Sequence, residues 1–238
     1  MKVKAWHFLR EDKKTQFEPR QKVRVGQVLK VDGEPVMCAR GLHASLLPLD
    51  ALAYAPGPVI CRVEVGGIIA RGDDKLAGTE RKVLWMADAT ETLGAFSRWC
   101  ALEVVHLWEP PEVVVEYLKT GDKSKRAAAG AAARAAAWAA AWDAEWDAAR
   151  AAAGAAARAA ERAAAWAAEW DAAWAAARAA EWDAAWDAAR AAAGAAAWAA
   201  EAASAGAAER AAAGAAAWAA EREKQNHKLN SMLMKLNA

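Results

Sequence analysis

The chain has 238 residues and a formal net charge of +1, enough for one ordinary domain and an extension. A charge so close to zero gives no general attraction to nucleic acid or to an anionic membrane. The cysteines Cys38, Cys61 and Cys100 lack metal-site spacing, so we expect buried thiols in a reducing compartment. We predict no signal peptide, no membrane span, no metal and no cofactor.

The first 120 residues predict a small α+β domain with a mostly antiparallel sheet. Apolar residues that alternate with polar ones, or are β-branched, predict strands. These strands cover residues 2–9, 22–31, 59–65 and 67–71, with a strand or an irregular edge over 80–87 and a last strand over 113–119. Asp32 and Gly33 predict a hairpin-type turn before a further short strand over 36–39.

Two helices are predicted within this domain. The first covers 46–54, with Ser45 as its cap and Pro48 in its first turn. The second covers 88–100. Residues 121–125 are polar and predict a joint between this domain and the rest of the chain.

A four-residue repeat fills residues 126–222. Every fourth residue is Trp, Arg or Gly, with Ala202 as the exception, and nearly all residues between them are Ala. Ala is the strongest helix former, so an all-α region is predicted. A period of four drifts by about 40° per step around a helix, so one long straight helix would bury no constant face.

Short helices stacked as an array are therefore favoured, with supercoiling and pairing between chains as the alternatives. The helices are predicted to break at glycines, which are Gly130, Gly154, Gly194, Gly206 and Gly214. After the repeat, residues 223–238 predict an amphipathic helix that caps the array. Its apolar face consists of Leu229, Met232, Leu233 and Leu236.

The Trp and Arg rows of the repeat allow two interpretations. In one, Trp forms the core of the array and Arg–acid pairs tie its outside. In the other, the rows form a slot for a flat anionic ligand such as a nucleotide, with Trp stacked on the base and Arg on phosphate. The repeat carries 9 Arg against 12 acids, which argues against nucleic acid. The predicted ligand-binding residues are Trp138, Trp142, Trp146, Arg150, Arg162, Trp166, Trp170, Trp174, Arg178, Trp182, Trp186 and Arg190.

The first domain offers only weak catalytic candidates, which are His43, His7 and Glu80. No nucleophile elbow, P-loop, dinucleotide fingerprint or zinc spacing occurs in the sequence. His43 lies where a strand end is predicted to turn into a helix. An imidazole there can act as a general acid or base, or it can hydrogen-bond a loop or cap a helix. Glu80, Arg81, Lys82 and Trp85 could line a cleft.

Several stretches of the first domain carry a family resemblance. They are Gly41–Ser45, Pro48–Leu52, Tyr54–Gly57, Val63–Val65 and Gly72–Lys75. Over roughly residues 1–105 they resemble a family of unknown function found in phage and prophage proteins. The repeat tail is similar to tails in those proteins and in bacterial immunity proteins. The resemblance implies a phage-encoded accessory protein in the cytoplasm of the host, with an anti-defence role.

The sequence thus favours a non-enzymatic binding protein that binds a host protein or sequesters a nucleotide-type ligand. Binding would use the repeat, the first domain or the groove between them. One alternative is a nucleotide-using transferase of the ADP-ribosyl type, with His7, His43 and Glu80 in its site. Another is a structural protein that forms a homo-oligomer through its Ala faces.

Overall fold

The computed structural model describes residues 2–16, 20–143, 157, 190–191, 193–194 and 207–237. Its backbone contacts divide the chain into two compact units. The first unit consists of Met1–Thr92 together with Lys228–Ala238, and the second consists of Leu93–His227. The antiparallel sheet and the helices confirm the predicted α+β class, whereas most of the repeat lies outside the described residues.

The sheet of the first unit contains five antiparallel strands. They are β1 (Val3–Leu9), β2 (Val28–Lys30), β3 (Leu42–Ala44), β4 (Val59–Arg71) and β5 (Leu76–Asp88). The order is β1-β4-β5, and both β2 and β3 pair with β5. The backbones of Trp6 and Ser45 exchange two hydrogen bonds of 2.7 and 2.9 Å. The end of β3 therefore also joins β1, and the sheet closes on itself.

The long β4–β5 hairpin is the centre of the sheet. The sequence predicted two strands over 59–65 and 67–71, but the structure has one strand with an irregularity between Gly66 and Ile69. Gly67 has a φ of +73° there, which favours glycine. A Cβ on Gly78 would lie 2.3 Å from Cγ1 of Val65, so this glycine permits the close approach of β4 and β5. The predicted strand or edge over 80–87 is part of β5, which pairs with β4 across this range and with β2 over residues 80–82.

The core of the first unit lies on one face of this closed sheet. Alternate residues of a strand point to the same face. The buried cluster on that face consists of Ala5, Leu9, Val23, Leu29, Ala44, Val59, Cys61, Val63, Val65, Leu76 and Val83. The opposite face of β1 buries Trp6 and Phe8. Both faces of β1 are therefore covered.

Two predicted strands are shorter or absent. The predicted strand over 22–31 is limited to Val28–Lys30, because a turn at Gly26, with a φ of +81°, interrupts it. The predicted strand over 36–39 is a turn, in which the backbones of Val36 and Arg40 are hydrogen-bonded to each other. Gly33 and Gly41, which both have a positive φ, leave too few residues between them for a strand that pairs with the sheet.

The first unit also contains a short helix, α1 (Pro48–Leu52). Pro48 is at its first position, as predicted, since proline is pre-organised for a helix start. Its N-cap residue is Leu47 and not Ser45, whose backbone is used in the pairing with Trp6.

The remaining helices follow the sheet in the chain. They are α2 (Thr90–Glu103), α3 (Glu112–Thr120), α4 (Arg126–Asp143) and α5 (Ala207–Met234), with 3-10 turns at Val105–Leu107 and Lys235–Asn237. The predicted helix over 88–100 corresponds to α2. The predicted strand over 113–119 is wrong, because this segment is helix α3.

Capping explains why β-branched residues form helix α3. Val114, Tyr117 and Leu118 are buried at the spacing of one helical face. Pro111 is the N-cap residue, and Gly121 ends the helix in the left-handed conformation with its N–H bonded to the Tyr117 carbonyl. This C-cap geometry together with the apolar stripe outweighs the β-propensity of three consecutive valines.

The repeat glycines within the described helices do not break them. Gly130 lies inside α4 and Gly214 lies inside α5, so the predicted breaks at these two positions are wrong. A single glycine costs a helix only about 1 kcal/mol relative to Ala, which the surrounding alanines tolerate. Gly194 has helical backbone, and the ring of Trp218 approaches to 3.8 Å from the position of a Cβ there. Gly154 and Gly206 lie outside the described residues.

Alanine faces are used for helix packing in the second unit. Helix α4 contacts α3, and Ala129 and Ala133 of α4 are buried. Because these side chains are small, two helix backbones can approach closely.

The end of the chain belongs to the first unit. The predicted amphipathic helix is the last part of the continuous helix α5, where Leu229 and Leu233 are fully buried. The final 3-10 turn contacts β5. Among the described helices, none has the length and apolar character needed to cross a membrane.

Candidate functional site

The interior of the closed sheet contains ionisable groups among its apolar residues. His7 in the middle of β1 lies directly opposite Cys61 of β4. Arg81 of β5 lies opposite Leu29 on one side and Val65 on the other. All of these side chains therefore share the core face of the sheet. We refer to His7, His43 and Arg81 as the basic cluster.

Arg81 is a buried cation without a counter-ion among the residues that the structure describes. Its side chain is only 4% exposed, and Nη1 donates a hydrogen bond of 2.6 Å to the backbone carbonyl of His43. Its Nε has no partner in the described part of the chain. Burial lowers the pKa of Arg81 to about 10. A buried charge that is not neutralised costs free energy, so this arrangement requires an explanation.

His43 is held by two backbone groups. The N–H of Cys38 donates a 3.2 Å hydrogen bond to Nε2, so Nδ1 is the protonated nitrogen and donates to the Gly41 carbonyl at 3.1 Å. Burial is the main cause that lowers the pKa of His43, so the ring is neutral. This geometry matches the alternative in which His43 bonds a loop, and its catalytic role stays a prediction.

His7 differs from His43 because its ring has no hydrogen bond to any described residue. It is half-buried. Burial, followed by the charges of Arg81 and His43, lowers its pKa well below the ordinary value. The free ring nitrogens of a neutral imidazole can accept a proton or bind a ligand.

The groups that act electrostatically on this region are basic. Arg81 and Lys13 act on Cys61, and Lys75 acts on His43. No carboxylate perturbs any member of the basic cluster within the residues the structure describes. Burial raises the pKa of the Cys61 thiol to about 12, so this group does not supply a negative charge at neutral pH. The cluster therefore has a positive potential without an internal counter-charge.

Glu80 does not join the two histidines. It lies within β5 on the face opposite Arg81 and forms a 2.8 Å ion pair with Lys30, which lowers the pKa of Glu80. The structure therefore brings His7 and His43 together but leaves Glu80 outside the cluster.

The predicted cleft from Glu80 to Trp85 is also divided between two faces. A register irregularity between Arg62 and Val63 changes which side chains of β5 point to the core face. As a result Trp85 lies opposite Arg62, on the face of the sheet away from Arg81. There the rings of Trp85 and Trp6 meet edge to face at 5.7 Å, and the Arg62 guanidinium lies 4.5 Å from the Trp6 ring centre. This packed group stabilises the sheet.

The predicted ligand-binding residues of the repeat are mostly outside the described residues. Trp138 and Trp142 lie on helix α4, without described side chains, and Arg190 is exposed. The residues that lie outside the description are Trp146, Arg150, Arg162, Trp166, Trp170, Trp174, Arg178, Trp182 and Trp186. Binding through the Trp and Arg rows stays a prediction.

A small cavity of about 130 Å³ lies at the turn of the β4–β5 hairpin. Asp50, Arg71 and Lys75 are among its lining residues. Tyr54 is bonded through its hydroxyl to Asp74, and the Lys75 ammonium lies 4.0 Å from the Tyr54 ring centre. Three acids and two bases line this cavity. The charged groups therefore have opposite charges to pair with, and the basic cluster is the better candidate for a ligand site.

The cysteines are in two environments. Cys61 and Cys100 are buried as expected, but Cys38 is exposed in a turn, with a φ of +63°. The prediction of three buried thiols is therefore wrong for Cys38. The described residues contain no group of His, Cys, Asp and Glu that could hold a metal ion.

Comparison with known proteins gives a match over the N-terminal part of the chain. Residues 3–95 match the family model of a domain of unknown function (DUF7666). This range includes every residue of the basic cluster and Cys61. No curated protein matches the chain, and no solved structure matches it.

Proposed function

We propose that the chain is a non-enzymatic binding protein whose N-terminal domain binds a small anionic ligand at the basic cluster. The observation that carries this proposal is Arg81, a guanidinium that is 4% exposed and has no carboxylate partner among the described residues. A bound anion would supply the missing counter-charge. It would also satisfy the unpaired Nε, because guanidinium groups bind anions through two parallel hydrogen bonds.

The neighbours of Arg81 support binding. The Nη1 bond to the His43 carbonyl fixes the guanidinium plane and leaves Nε for another acceptor. His7 and His43 are half-buried, so the cluster has a side that solvent reaches. No described carboxylate acts on the cluster, so no described negative charge opposes a bound anion there.

The same neighbours argue against catalysis. Both His43 nitrogens are bonded to the backbone, the raised pKa of Cys61 keeps its thiol protonated, and Glu80 is paired elsewhere. A group that transfers protons needs a free site close to the reacting atom. Among the predicted catalytic candidates only His7 keeps free ring nitrogens, and no described carboxylate acts on it. Binding therefore accounts for this geometry better than transferase chemistry does.

The wider setting of the proposal comes from the sequence. The family resemblance supports a phage accessory protein in the host cytoplasm, acting against a host protein or a nucleotide-type signal. A stacked helical array with Trp and Arg rows remains the second proposed surface. A nucleotide would suit both surfaces, because its phosphate is anionic and its base can stack on Trp.

Isothermal titration calorimetry with inorganic phosphate at constant ionic strength tests the proposal. We expect the wild-type chain to bind phosphate and Arg81→Met to lose at least tenfold in affinity. Lys4→Gln is the matched control, because it removes an exposed cation from β1 on the face away from Arg81. Wild-type chain without measurable binding, or equal binding by Arg81→Met, would overturn the proposal.

A further inference from the structure

We infer that the ligand of the basic cluster is a tetrahedral dianion, such as a phosphate monoester, and that His7 takes up one proton when it binds. This inference rests on the proposed function. It adds the charge class of the ligand and assigns a role to the imidazole that the fold leaves without a partner.

Arg81 can neutralise only part of the charge of a dianion. It supplies one permanent positive charge in the interior, and this charge balances one charge of an anion. A carboxylate would then be neutralised, whereas a dianion would keep one charge that is buried and unpaired. Burial of an unpaired charge is costly, so a second cation has to form close to the ligand.

His7 is the group that can become this second cation. Both ring nitrogens of His43 are used by Cys38 and Gly41. The Cys61 thiol faces the Val59 carbonyl at 3.9 Å and cannot become positive. His7 lies opposite Cys61 in the register of β1 and β4 and has no hydrogen bond within the described contacts. It is the one member of the basic cluster that can accept a proton without breaking a bond that the structure shows.

The charged groups around His7 come from several strands and loops. Arg81 comes from β5 and His43 from β3. Lys13, before β2, and Lys75, after β4, act on the neighbouring Cys61 and His43. These groups are all basic. Burial, followed by the charges of Arg81 and His43, keeps the pKa of His7 well below its ordinary value. Since no described carboxylate opposes them, His7 stays neutral until an anion arrives.

Binding of the dianion takes up one proton. The free protein with neutral His7 binds the dianion, and one proton moves from the buffer to a ring nitrogen of His7. The product is an imidazolium beside the bound anion, which forms a charge-assisted hydrogen bond to it. No covalent bond to the ligand forms or breaks.

Sulfate and methanesulfonate are suitable probes, because both are tetrahedral, they carry two and one negative charges respectively, and neither titrates near neutral pH. Each is titrated into the full chain at pH 7 in two buffers of different ionisation enthalpy. The dependence of the binding heat on the buffer gives the number of protons taken up. We expect sulfate to bind at least tenfold tighter, since each unit by which the bound anion raises the pKa of His7 above the pH of the titration corresponds to a tenfold change in affinity. We expect proton uptake to approach one for sulfate and zero for methanesulfonate.

His7→Gln should remove the proton uptake and make the two affinities similar, whereas His106→Gln, which removes an exposed imidazole of the second unit, should change neither. The imidazole NMR signals of wild-type His7 give a reading that does not depend on the folding of a variant, and sulfate should shift them to the protonated position. If both anions bind equally through Arg81 without proton uptake, the proposed function stands and this inference fails. If neither anion binds, both fail. Uptake that persists in a folded His7→Gln variant would also overturn the inference.

Discussion

Replacement of Arg81 by Met separates a binding role from a structural role. The substitution keeps a long apolar side chain and removes the buried charge. Burial lowers the pKa of Arg81 from its ordinary value to about 10, which means that the charged form is disfavoured by about 3 kcal/mol in the folded state. Because the folded pKa lies below the unfolded value, this cost is present in full at neutral pH and falls only above about pH 10.

The substitution also deletes the bond from Nη1 to the His43 carbonyl. A hydrogen bond from a charged group contributes about 1.5–3 kcal/mol. The relief of burial and the loss of this bond therefore nearly cancel. We predict that the free energy of unfolding of Arg81→Met is unchanged or higher by about 1 kcal/mol, as expected of a residue kept for function at a cost in stability.

Urea denaturation at pH 7, followed by far-UV circular dichroism, gives the comparison. Leu29→Ala serves as the reference for damage to the same core, because Leu29 is 2% exposed and lies opposite Arg81, and such a truncation typically costs about 2–5 kcal/mol. A loss of about 3 kcal/mol or more in Arg81→Met would match the breaking of a structural ion pair. That result would show that Arg81 has a structural role and not a binding role.

Three further predictions concern the same unit. Folded protein should react with iodoacetamide at exposed Cys38, whereas Cys61, with a pKa of about 12, should react only after unfolding; equal labelling rates would contradict this. Gly78→Ala should destabilise the sheet by about 1–3 kcal/mol, since its Cβ would lie 2.3 Å from Val65, and a thermal midpoint equal to wild type would be inconsistent with the described packing. Stability should fall as the pH drops below about 6.5, because the unfolded chain then binds a proton that His7 in the folded state does not; a His7→Gln variant with the same pH profile as wild type would disprove the assignment.

The strands and the short helix show what local sequence pattern can predict. Alternation located β1 and both parts of the β4–β5 hairpin, and the proline at the first position located α1. The pattern did not reveal that β4 runs through Gly66 and Gly67, because a bulge is visible only when the partner strand is known. It also failed for α3, where consecutive valines favour a strand locally but the buried stripe and Gly121 favour a helix.

The candidate site was only partly predictable. His7 and His43 were identified as candidates from residue type, and the structure places them close together. The isolation of Arg81 was not predictable, because it depends on which charged residues lie opposite β5, and the closure of the sheet through Trp6 and Ser45 decides that. The burial of Arg81 could have been predicted from the sequence. Arg81 is two residues from Val83, and alternate side chains of a strand point to the same face, which is here the core.

Binding of an anion by the Arg81 guanidinium can be observed directly at its Nε–H group. A ¹H–¹⁵N spectrum of the arginine side chains, with Arg81 assigned by comparison with Arg81→Met, is recorded during a titration with phosphate and during a matched titration with chloride. The account predicts that phosphate produces a saturable shift of the Arg81 Nε–H signal and that chloride leaves it in place. An Arg81 signal that does not move with phosphate, or that moves equally with both anions, would contradict the account.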